Sequence, residues 1–321
     1  MNIEFCKKYF IFNLSSEVEN SNEKIISKQG WIIKLKNEKD KYGYGEVSPI
    51  YKNELKFCEN EILKIPSSIT EKNLLNKIKY YHPCIQSGIN NALAEMKGFF
   101  KFKKEYPFKE INQSAILLKT NSIMNDFNLI KESSFFKTKE LTIKWKVGIL
   151  ENRIEEQTLF KILDQISSNI RLRIDANGAW NREIANRWAE ILRNIDNIDW
   201  LEQPLNPDDI EGLTQLNQKM PIALDESLIK HPKLTDTWNG WQIRRPTQEK
   251  NPLKLVNELQ EKKSLISIST SFETGIGRRI LYHCALLQSM GSTPKVPGLG
   301  LRQIPNSLIF SNDPNRVWES L

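Results

Sequence analysis

The sequence has few residues of the two types that most often bind transition metals. Its 321 residues include three histidines and four cysteines, and no cysteine belongs to a C-x-x-C pair. Wide spacing of this kind argues against a zinc–cysteine site and is typical of a reducing compartment. The histidines are equally dispersed, so imidazole is not expected to be the main metal ligand or general base. Any chemistry would then depend on carboxylates, lysines and arginines. The residues concerned are Cys6, Cys58, Cys84, Cys284, His82, His231 and His283.

Long apolar runs and a signal-peptide layout are also missing. No run approaches the roughly 20 apolar residues that cross a bilayer, and the first residues, MNIEFCKKYF, do not have the order of charged and apolar regions of a secretory leader. With 39% hydrophobic and 26% charged residues, the composition is that of a globular protein. We therefore expect a cytoplasmic protein that does not bind a membrane.

The formal net charge of +7 raises the question of nucleic acid. The basic residues are spread along the chain, and no recognised nucleic-acid motif is present. The charge is interpreted as a solvated lysine-rich surface that could help to attract an anionic substrate, and no nucleic-acid partner is expected. A non-catalytic basic barrel that binds nucleic acid or a protein is an alternative, but it leaves the ordered acids and lysines described below unexplained.

The chain divides into two parts of different texture. In residues 1 to about 105, apolar and polar residues first alternate as in the strands of an antiparallel sheet. Residues 53–65 and 87–100 then show helical periodicity. From about residue 110, eight short apolar segments alternate with amphipathic helices such as residues 181–195. Repeated strand–helix units with buried parallel strands indicate a barrel or a doubly wound sheet, and about eight units in about 200 residues favour the closed barrel. The eight segments are SAILLK, ELTIKWKVG, LRIDANG, IDWLEQP, PIALDES, WQIRRP, LISIST and, more weakly, VPGLGL.

Polar residues recur at the carboxyl ends of these predicted strands, where barrels of this class build their active sites. Asp175, Glu202 and Asp225 end three consecutive strands. Each alone could be an ordinary turn residue, but three clustered carboxylates repel one another unless a cation joins them. An all-oxygen site suits a hard divalent ion such as Mg²⁺.

The segment TIKWKVG, residues 142–148, contains two lysines at alternate positions of a predicted strand. Lys144 and Lys146 therefore share one face, while Trp145 points into the layer between barrel and helices. Alone, the pattern is typical of a wet edge strand. Beside a divalent cation and a second ammonium, however, the charged form of a lysine is disfavoured, so that it can act as a base. A metal beside a lysine base suits removal of a proton α to a carboxylate.

Arg245, at the end of the sixth predicted strand, favours a one-base reaction over a two-base racemisation. Arginine stays protonated and is a poor proton shuttle, so it suits electrostatic stabilisation better than a two-base racemisation. A one-base reaction is favoured, in which Lys146 removes a proton and returns it on the same face. Arg244 is the less favoured candidate for the same position.

Two loops are candidates for binding a substrate carboxylate. Residues 269–277, STSFETGIG, combine small hydroxyls with glycines and lead into a helix, where backbone N–H groups can bind an anion. An ordinary glycine loop is an equally good interpretation, and residues 296–301 give a similarly weak signal. The polar segment 15–24 suits either a specificity loop or a plain surface loop. The residues chosen from these loops are Ser269, Ser271, Gly275 and Gly298.

Taken together, these motifs resemble the enolase superfamily in its muconate-lactonising branch. The resemblance covers nearly the whole chain, through GYGEVSP, SGINNALAEM, TIKWKVG, LRIDANGAW, WLEQPL, ALDESL and ISISTSFETGIG. It implies an α/β fold: a modified (β/α)₇β TIM-type barrel, residues 109–321, with an N-terminal α+β capping domain, residues 1–108, that part of the C-terminal tail joins.

The resemblance also implies roles for residues. Asp175, Glu202 and Asp225 would bind Mg²⁺, for which Mn²⁺ could substitute, and Asn177 would support the metal site. Lys146 would be the acid–base catalyst, while Lys144 would tune it and contact the substrate carboxylate. The branch usually has lysine before proline at the end of the sixth strand, and QIRRP departs from this.

The implied activity is syn-dehydration of a small dicarboxylate, 2-succinyl-6-hydroxy-2,4-cyclohexadiene-1-carboxylate, to 2-succinylbenzoate in menaquinone or phylloquinone biosynthesis. The loops 269–277 and 297–301 would hold the succinyl carboxylate. A cycloisomerase, an N-succinylamino acid racemase or a dipeptide epimerase of the same superfamily is the alternative. The oligomeric state, monomer or dimer, stays open.

Overall fold

The computed structural model describes residues 1–21, 23–99, 114–132 and 140–321. Within these residues the chain forms a four-stranded antiparallel sheet near the N-terminus and a seven-stranded parallel sheet that follows it. No helix in the described ranges is both long enough and apolar enough to cross a membrane.

The N-terminal sheet has the strand order β3-β2-β1-β4, and three helices cover one of its faces. Apolar side chains of β2, such as Ile33 and Leu35, pack against Ile85 and Ile89 of the third helix in one fully buried cluster. The bounds are β1 Asn2–Glu19, β2 Lys24–Asn37, β3 Tyr42–Val47, α1 Leu55–Leu63, β4 Ser68–Thr70, α2 Glu71–Ile78 and α3 Pro83–Met96.

The interpretation of residues 15–24 as a loop is wrong for most of the segment. β1 continues to Glu19, and β2 begins at Lys24. The pairing shifts register between Asn13 and Val18, which bends the strands of this long hairpin. Its polar composition suggested a loop because both faces of the hairpin end are largely free of the apolar core.

The motif GYGEVSP packs the sheet closely against α3. A Cβ atom at Gly45 would lie 1.9 Å from the carbonyl oxygen of Gly88, and one at Gly43 would lie 2.1 Å from that of Ala92. Both positions therefore require glycine for this close approach of strand and helix. Between them and the barrel, Glu46 accepts hydrogen bonds from the backbone N–H groups of Thr274 (2.9 Å) and Gly277 (3.0 Å).

The parallel sheet contains seven of the eight predicted barrel strands in chain order, and helices follow most of them. The strands are β5 Ile116–Leu118, β6 Leu141–Lys146, β7 Ile170–Asp175, β8 Ile198–Glu202, β9 Ile222–Leu224, β10 Trp241–Arg244 and β11 Ile266–Ile268. The helices are α4 Ile123–Glu132, α5 Asn152–Leu163, α6 Arg182–Leu192, α7 Ile210–Asn217, α8 Glu226–Lys230, α9 Leu234–Thr237, α10 Pro252–Gln260, α11 Gly275–Ser289 and α12 Pro314–Glu319. Single 3₁₀ turns occupy Lys52–Glu54, Thr120–Ser122, Leu301–Gln303 and Leu308–Phe310.

A short extended segment, residues 297–299, closes the sheet into a barrel. Gly298 donates its N–H to Ile268 of β11 at 2.8 Å, and on the other side Ala115, next to β5, donates to Pro297 at 2.9 Å. The weakly predicted eighth strand therefore lies where expected, between β11 and β5. The predicted fold class is confirmed.

The barrel strands alternate between a polar interior and an apolar outer layer. Trp145 of β6 points outward and packs on Trp188 of α6, with 6.1 Å between ring centroids. Asn181 caps α6 by accepting a hydrogen bond from Ile184 N at 2.9 Å, which fixes where this covering helix begins. The alternation turns the side chains of Lys144 and Lys146 inward.

The C-terminal helix α12 packs against the N-terminal sheet. Val317 is buried in a cluster with Phe10 and Tyr44, and the Tyr44 hydroxyl donates to Asn315 at 2.8 Å. The predicted boundary between residues 108 and 109 lies outside the described residues.

The expectation that the cysteines lie far apart is wrong for Cys58 and Cys84. α1 and α3 bring their Sγ atoms to 3.6 Å, with His82 at the start of α3 beside them. Sequence spacing missed this group because its members come from different helices.

Candidate active site

A cavity of about 390 Å³ lies between the N-terminal domain and the carboxyl ends of the barrel strands. The tip of the β1–β2 hairpin and residues 49–52 form one wall, while residues 269–272 and the inward-pointing side chains of the barrel form the other. Ser21 at the hairpin tip is 3.3 Å from the carbonyl oxygen of Ala176 on the barrel. The volume is in the range of small-molecule sites.

Three carboxylates lie beneath or beside this cavity. Asp175 and Glu202 are the last residues of β7 and β8 and pair directly in register, and Asp225 follows β9. All three are almost completely buried, at 0–1% exposure. The parallel strands thus bring these residues to one end of the barrel, as their sequence positions predict.

The two lysines of β6 face these acids. The ammonium group of Lys144 lies 2.9 Å from Asp175 and 2.6 Å from Glu202. That of Lys146 lies 3.0 Å from Asp175 and donates to the side-chain oxygen of Asn177 at 2.7 Å. Both lysines also line the cavity, so the wet-edge interpretation does not describe them.

Arg245, and not Arg244, points into the site. Its guanidinium donates two hydrogen bonds to Asp225, at 2.9 and 2.5 Å, and a further one to the carbonyl oxygen of Thr270. Arg244 points outward, to Glu249, which precedes α10, and to Glu258 on α10. The structure therefore resolves which of the two arginines occupies the end of the sixth strand on the cavity side.

The charges in this group control one another's protonation. Burial alone would lower the pKa of Lys144, but the charges of Asp175 and Glu202 outweigh burial and raise it. Burial would raise the pKa of Asp175, yet the two lysine ammonium groups hold it below its usual range. For Glu202, burial and the neighbouring charge of Asp175 prevail, and its pKa is raised.

Asn177 and Gln203 hold the acids in position. Asn177 adopts a left-handed conformation (φ 46°), and its backbone N–H donates to Asp175 at 3.0 Å, while its side chain donates to Glu226 at 2.8 Å. Gln203, also left-handed (φ 39°), accepts from the backbone N–H of Asp225 at 3.1 Å. Such backbone conformations are unusual outside glycine and are often found at functional sites.

The predicted substrate loop is only partly at the cavity. Ser269, Ser271 and Gly298 line it, and the Ser271 hydroxyl is buried without a hydrogen-bond partner. Gly275 does not line it, which corrects the prediction for this residue. A Cβ atom at Gly275 would lie 2.1 Å from the carbonyl oxygen of Ser311, so its glycine serves packing at the start of α11.

Lys28 and Glu226 are among the charged residues of the cavity that sequence reasoning missed. Lys28 of β2 is 5% exposed and donates to the carbonyl oxygen of Pro49 at 2.5 Å, and burial lowers its pKa. Glu226 follows Asp225, and burial together with the charge of Asp225 raises its pKa to about 8. A lysine in a hairpin strand resembles a surface residue, so only the fold could identify Lys28.

The donor set fits a hard cation. Asp175, Glu202 and Asp225 offer only carboxylate oxygens, which Mg²⁺ prefers. A positive group, the Lys144 ammonium, already lies between Asp175 and Glu202, so this space accommodates a cation. The ligand oxygens of the three acids are not all within 4.8 Å of one another, because Lys144 and Arg245 hold them as separate ion pairs.

Comparisons with known proteins agree with this architecture. The family model for the enolase C-terminal domain-like family matches residues 139–238. The o-succinylbenzoate synthase of Thermosynechococcus vestitus is 25% identical over 274 residues, which cover 80% of this chain and 80% of that protein. An N-succinyl-L-Arg/Lys racemase of Bacillus cereus is 29% identical over 112 residues, 33% of this chain and 30% of the racemase.

A solved structure extends the comparison to the whole fold. The crystal structure of o-succinylbenzoate synthase from Thermosynechococcus elongatus BP-1, complexed with Mg in the active site, matches with a TM-score of 0.77 at 23% identity. The match covers 99% of this chain and 100% of that chain.

The fold defines the class: a modified TIM barrel with an N-terminal capping domain, in which residues 139–238 match the enolase C-terminal domain-like family. Within that class, the chain resembles o-succinylbenzoate synthases over most of its length. The resemblance to the superfamily predicted from the motifs is thereby confirmed, and the comparisons support an enzyme.

Proposed function

We propose that the chain is an o-succinylbenzoate synthase, a lyase that dehydrates 2-succinyl-6-hydroxy-2,4-cyclohexadiene-1-carboxylate to 2-succinylbenzoate in menaquinone or phylloquinone biosynthesis. The observation that carries this proposal is the position of Lys146: its amino group lines the cavity and is 3.0 Å from Asp175, one of three buried acids. A base beside a cation-binding carboxylate group is what α-proton removal requires.

In this proposal Asp175, Glu202 and Asp225 hold Mg²⁺, and Mn²⁺ can substitute for it. When bound, the ion supplies positive charge that stabilises the enediolate dianion as the proton leaves. A bound ion would compete with Lys144 and Arg245 for these carboxylates. Asn177, bonded to Asp175, keeps that carboxylate oriented.

Lys146, in its neutral form, takes the proton from the ring carbon α to the carboxylate. The electron pair of the broken C–H bond passes into the enediolate. The Lys146 ammonium then returns the proton to the ring hydroxyl on the same face, the C–O bond breaks, and water leaves as the ring becomes aromatic. One base is therefore enough for this syn-elimination.

Lys144 and Arg245 have binding and electrostatic roles in this reaction. Lys144, 2.6 Å from Glu202, is positioned to contact the substrate carboxylate that the reaction enolises. Arg245 fixes Asp225 through two hydrogen bonds and presents a permanent charge on the side of the cavity away from Lys146. Because arginine does not give up its proton, it stabilises charge and transfers none.

The second carboxylate of the substrate, on the succinyl chain, requires a positive or hydrogen-bonding group at the far side of the cavity. Ser271, with its unpartnered hydroxyl, and Lys28, with its buried ammonium, are the candidates that line it. Ser269 and the backbone at Gly298 complete this wall.

The proposal is tested by following aromatisation of the cyclohexadiene substrate by ultraviolet absorbance, with purified protein treated with EDTA and then with Mg²⁺. We expect turnover with Mg²⁺ and none after EDTA, with recovery on addition of Mg²⁺ or Mn²⁺. Folded, Mg²⁺-loaded protein that leaves the substrate unchanged would contradict the proposal.

A racemase acting on N-succinylamino acids is the second candidate, because the Bacillus cereus relative has that name. Two-base racemisation requires a proton-transferring group on each face of the substrate, and Arg245 is a poor one. Inversion of an N-succinylamino acid in D₂O, with deuterium incorporated at the α-carbon of the inverted enantiomer, would favour this candidate.

A further inference from the structure

A second group of possible metal ligands lies in the N-terminal domain, where α1 and α3 meet. Cys58 of α1 and Cys84 of α3 are completely buried, and His82 is the residue that caps α3. The ligand atoms of these three residues all lie within 4.8 Å of one another, a property that no other group of three His, Cys, Asp or Glu side chains has in the described part of the chain.

The distances in this group match a tetrahedral ion. Zn–S bonds of about 2.3 Å and Zn–N bonds of about 2.0 Å at tetrahedral angles separate two sulfurs by about 3.8 Å and sulfur from nitrogen by about 3.5 Å. The two Sγ atoms are 3.6 Å apart, and Nδ1 of His82 is 3.1 Å from Sγ of Cys84. These two distances are within a few tenths of an ångström of the expected values, and the third pair, Cys58 and His82, lies within 4.8 Å.

Two buried thiols in simple contact would have the same sulfur–sulfur distance, so the surroundings of His82 decide the assignment. Glu54 lies 3.5 Å from Nε2 of His82, on the side of the ring away from the sulfurs. Nδ1 of His82, on the other side of the ring, accepts the backbone N–H of Cys84 at 3.4 Å and so faces the thiols. This is the arrangement that orients histidine ligands in metal sites.

Further contacts hold the imidazole in this orientation. Glu61 accepts the backbone N–H of His82 at 2.7 Å, and the ring of Phe57 packs edge-on against the imidazole at 6.1 Å. A simple packing role for the two cysteines requires none of these contacts.

We propose that Cys58, Cys84 and Nδ1 of His82 bind Zn²⁺ and that a water molecule takes the fourth position. The side chain of His82 is 16% exposed, which gives the ion and the water access from solvent. The ion would join α1 to α3 and so stabilise the domain that closes the cavity. Sulfur and nitrogen ligands separate this site from the all-oxygen group of the barrel, because soft ligands select Zn²⁺ over Mg²⁺.

The test uses the full-length protein, reduced, stripped of metal and kept in excess Mg²⁺, to which Co²⁺ is added as a spectroscopic probe. We expect a thiolate-to-cobalt charge-transfer band in the near ultraviolet and strong visible bands of tetrahedral Co²⁺, which saturate at one equivalent and disappear when Zn²⁺ is added. Co²⁺ bound to carboxylates alone gives no such charge-transfer band, so the barrel site does not interfere.

Matched variants assign the band to these residues. Cys58→Ala should abolish it, whereas Cys6→Ala, which removes a thiol outside the group, should leave it unchanged. His82→Asn keeps a good helix cap but removes the imidazole, and we expect at least a tenfold loss of Co²⁺ affinity.

Three results would overturn the proposal, and none depends on the enzymatic activity. The first is a reduced wild-type protein that gives no charge-transfer band with Co²⁺. The second is a band that survives Cys58→Ala or disappears in Cys6→Ala. The third is a Cys58–Cys84 disulfide in protein kept under reductant.

Discussion

The barrel contains two groups of charged side chains, and only one of them has access to the cavity. The cavity group consists of Lys144, Lys146, Asp175, Glu202, Asp225 and Arg245. The inner network consists of Arg171, Arg173, Asp199 and Lys295. Both contain lysine or arginine bonded to buried carboxylates, yet only the cavity group has members that line the cavity.

The inner network centres on Asp199, the carboxylate that its three cationic side chains share. Asp199 accepts from Arg171 at 3.1 Å, Arg173 at 3.0 Å and Lys295 at 2.7 Å. Arg173 also stacks on the ring of Trp200, 4.1 Å from its centroid. Such a network contributes to folding, because loss of one partner leaves a buried charge unpaired.

The cavity group has the same types of contact as the inner network, but its contacts can be replaced by a ligand. Its lysines and Arg245 bond to the acids and at the same time face open space, so a ligand or metal ion can replace those bonds. The comparison teaches that ion pairing alone does not identify an active site in this barrel. Access to a cavity at the carboxyl ends of the strands does.

The largest expected effect is on the base. Lys146→Ala should reduce the rate of dehydration by about 10³-fold, since positioned general bases contribute about 10²–10⁴-fold and the neighbouring Lys144 is held by Asp175 and Glu202. Its stability to urea should stay close to that of the wild type, because the shortened side chain leaves Asp175 bonded to Lys144. A variant with near-normal rates would mean that another group removes the proton.

The matched change in the inner network should act on stability instead. Asp199→Asn removes the negative charge that pairs with Arg173, and we expect the free energy of unfolding to fall by about 3 kcal/mol. Urea denaturation measures this loss. Turnover per folded molecule should stay within about threefold of wild type. A large loss of turnover with normal stability would contradict a purely structural role of the inner network.

A smaller effect is expected from Arg245→Lys. The lysine keeps the charge but can replace only one of the two hydrogen bonds to Asp225, and charge-assisted bonds of this kind contribute about 1.5–3 kcal/mol. We expect a decrease in kcat/KM of about tenfold with little change in thermal stability. Unchanged kinetics would reduce the role of Arg245 to that of a simple positive charge.

The smallest expected effect is a pH dependence of the inner network. Burial alone would raise the pKa of Asp199, but Arg173 and Lys295 outweigh it and lower the pKa below the ordinary 3.8. The stabilisation is therefore complete above that value and is lost as the pH falls through the lower folded-state pKa. The difference in unfolding free energy between wild type and Asp199→Asn should be constant above about pH 5 and decrease below about pH 4. A difference that grows on acidification would contradict this sign.

The sequence predicted those features that depend on local periodicity and on chain order. Successive strand ends bear Asp175, Glu202 and Asp225, and a parallel barrel gathers such ends by its geometry. Lys144 and Lys146 share a face because strand residues alternate. These relations need no knowledge of distant contacts.

Features that depend on packing between separate elements could not be predicted in this way. Lys28 reaches the cavity only because the β1–β2 hairpin folds over the barrel, and its strand pattern alone resembles a wet surface. Gly275 looked like a loop glycine, yet the chain at Ser311 leaves no room for a side chain there. The Cys58, His82 and Cys84 group forms because two helices meet, which spacing along the chain does not reveal.

The most direct test of this account measures aromatisation of the cyclohexadiene substrate by Lys146→Ala and Asp199→Asn side by side, at equal concentrations of folded, Mg²⁺-loaded protein. We expect no detectable turnover by the first variant and nearly wild-type turnover by the second. Equal turnover by the two variants, or loss only in Asp199→Asn, would contradict the assignment of the chemistry to the cavity group.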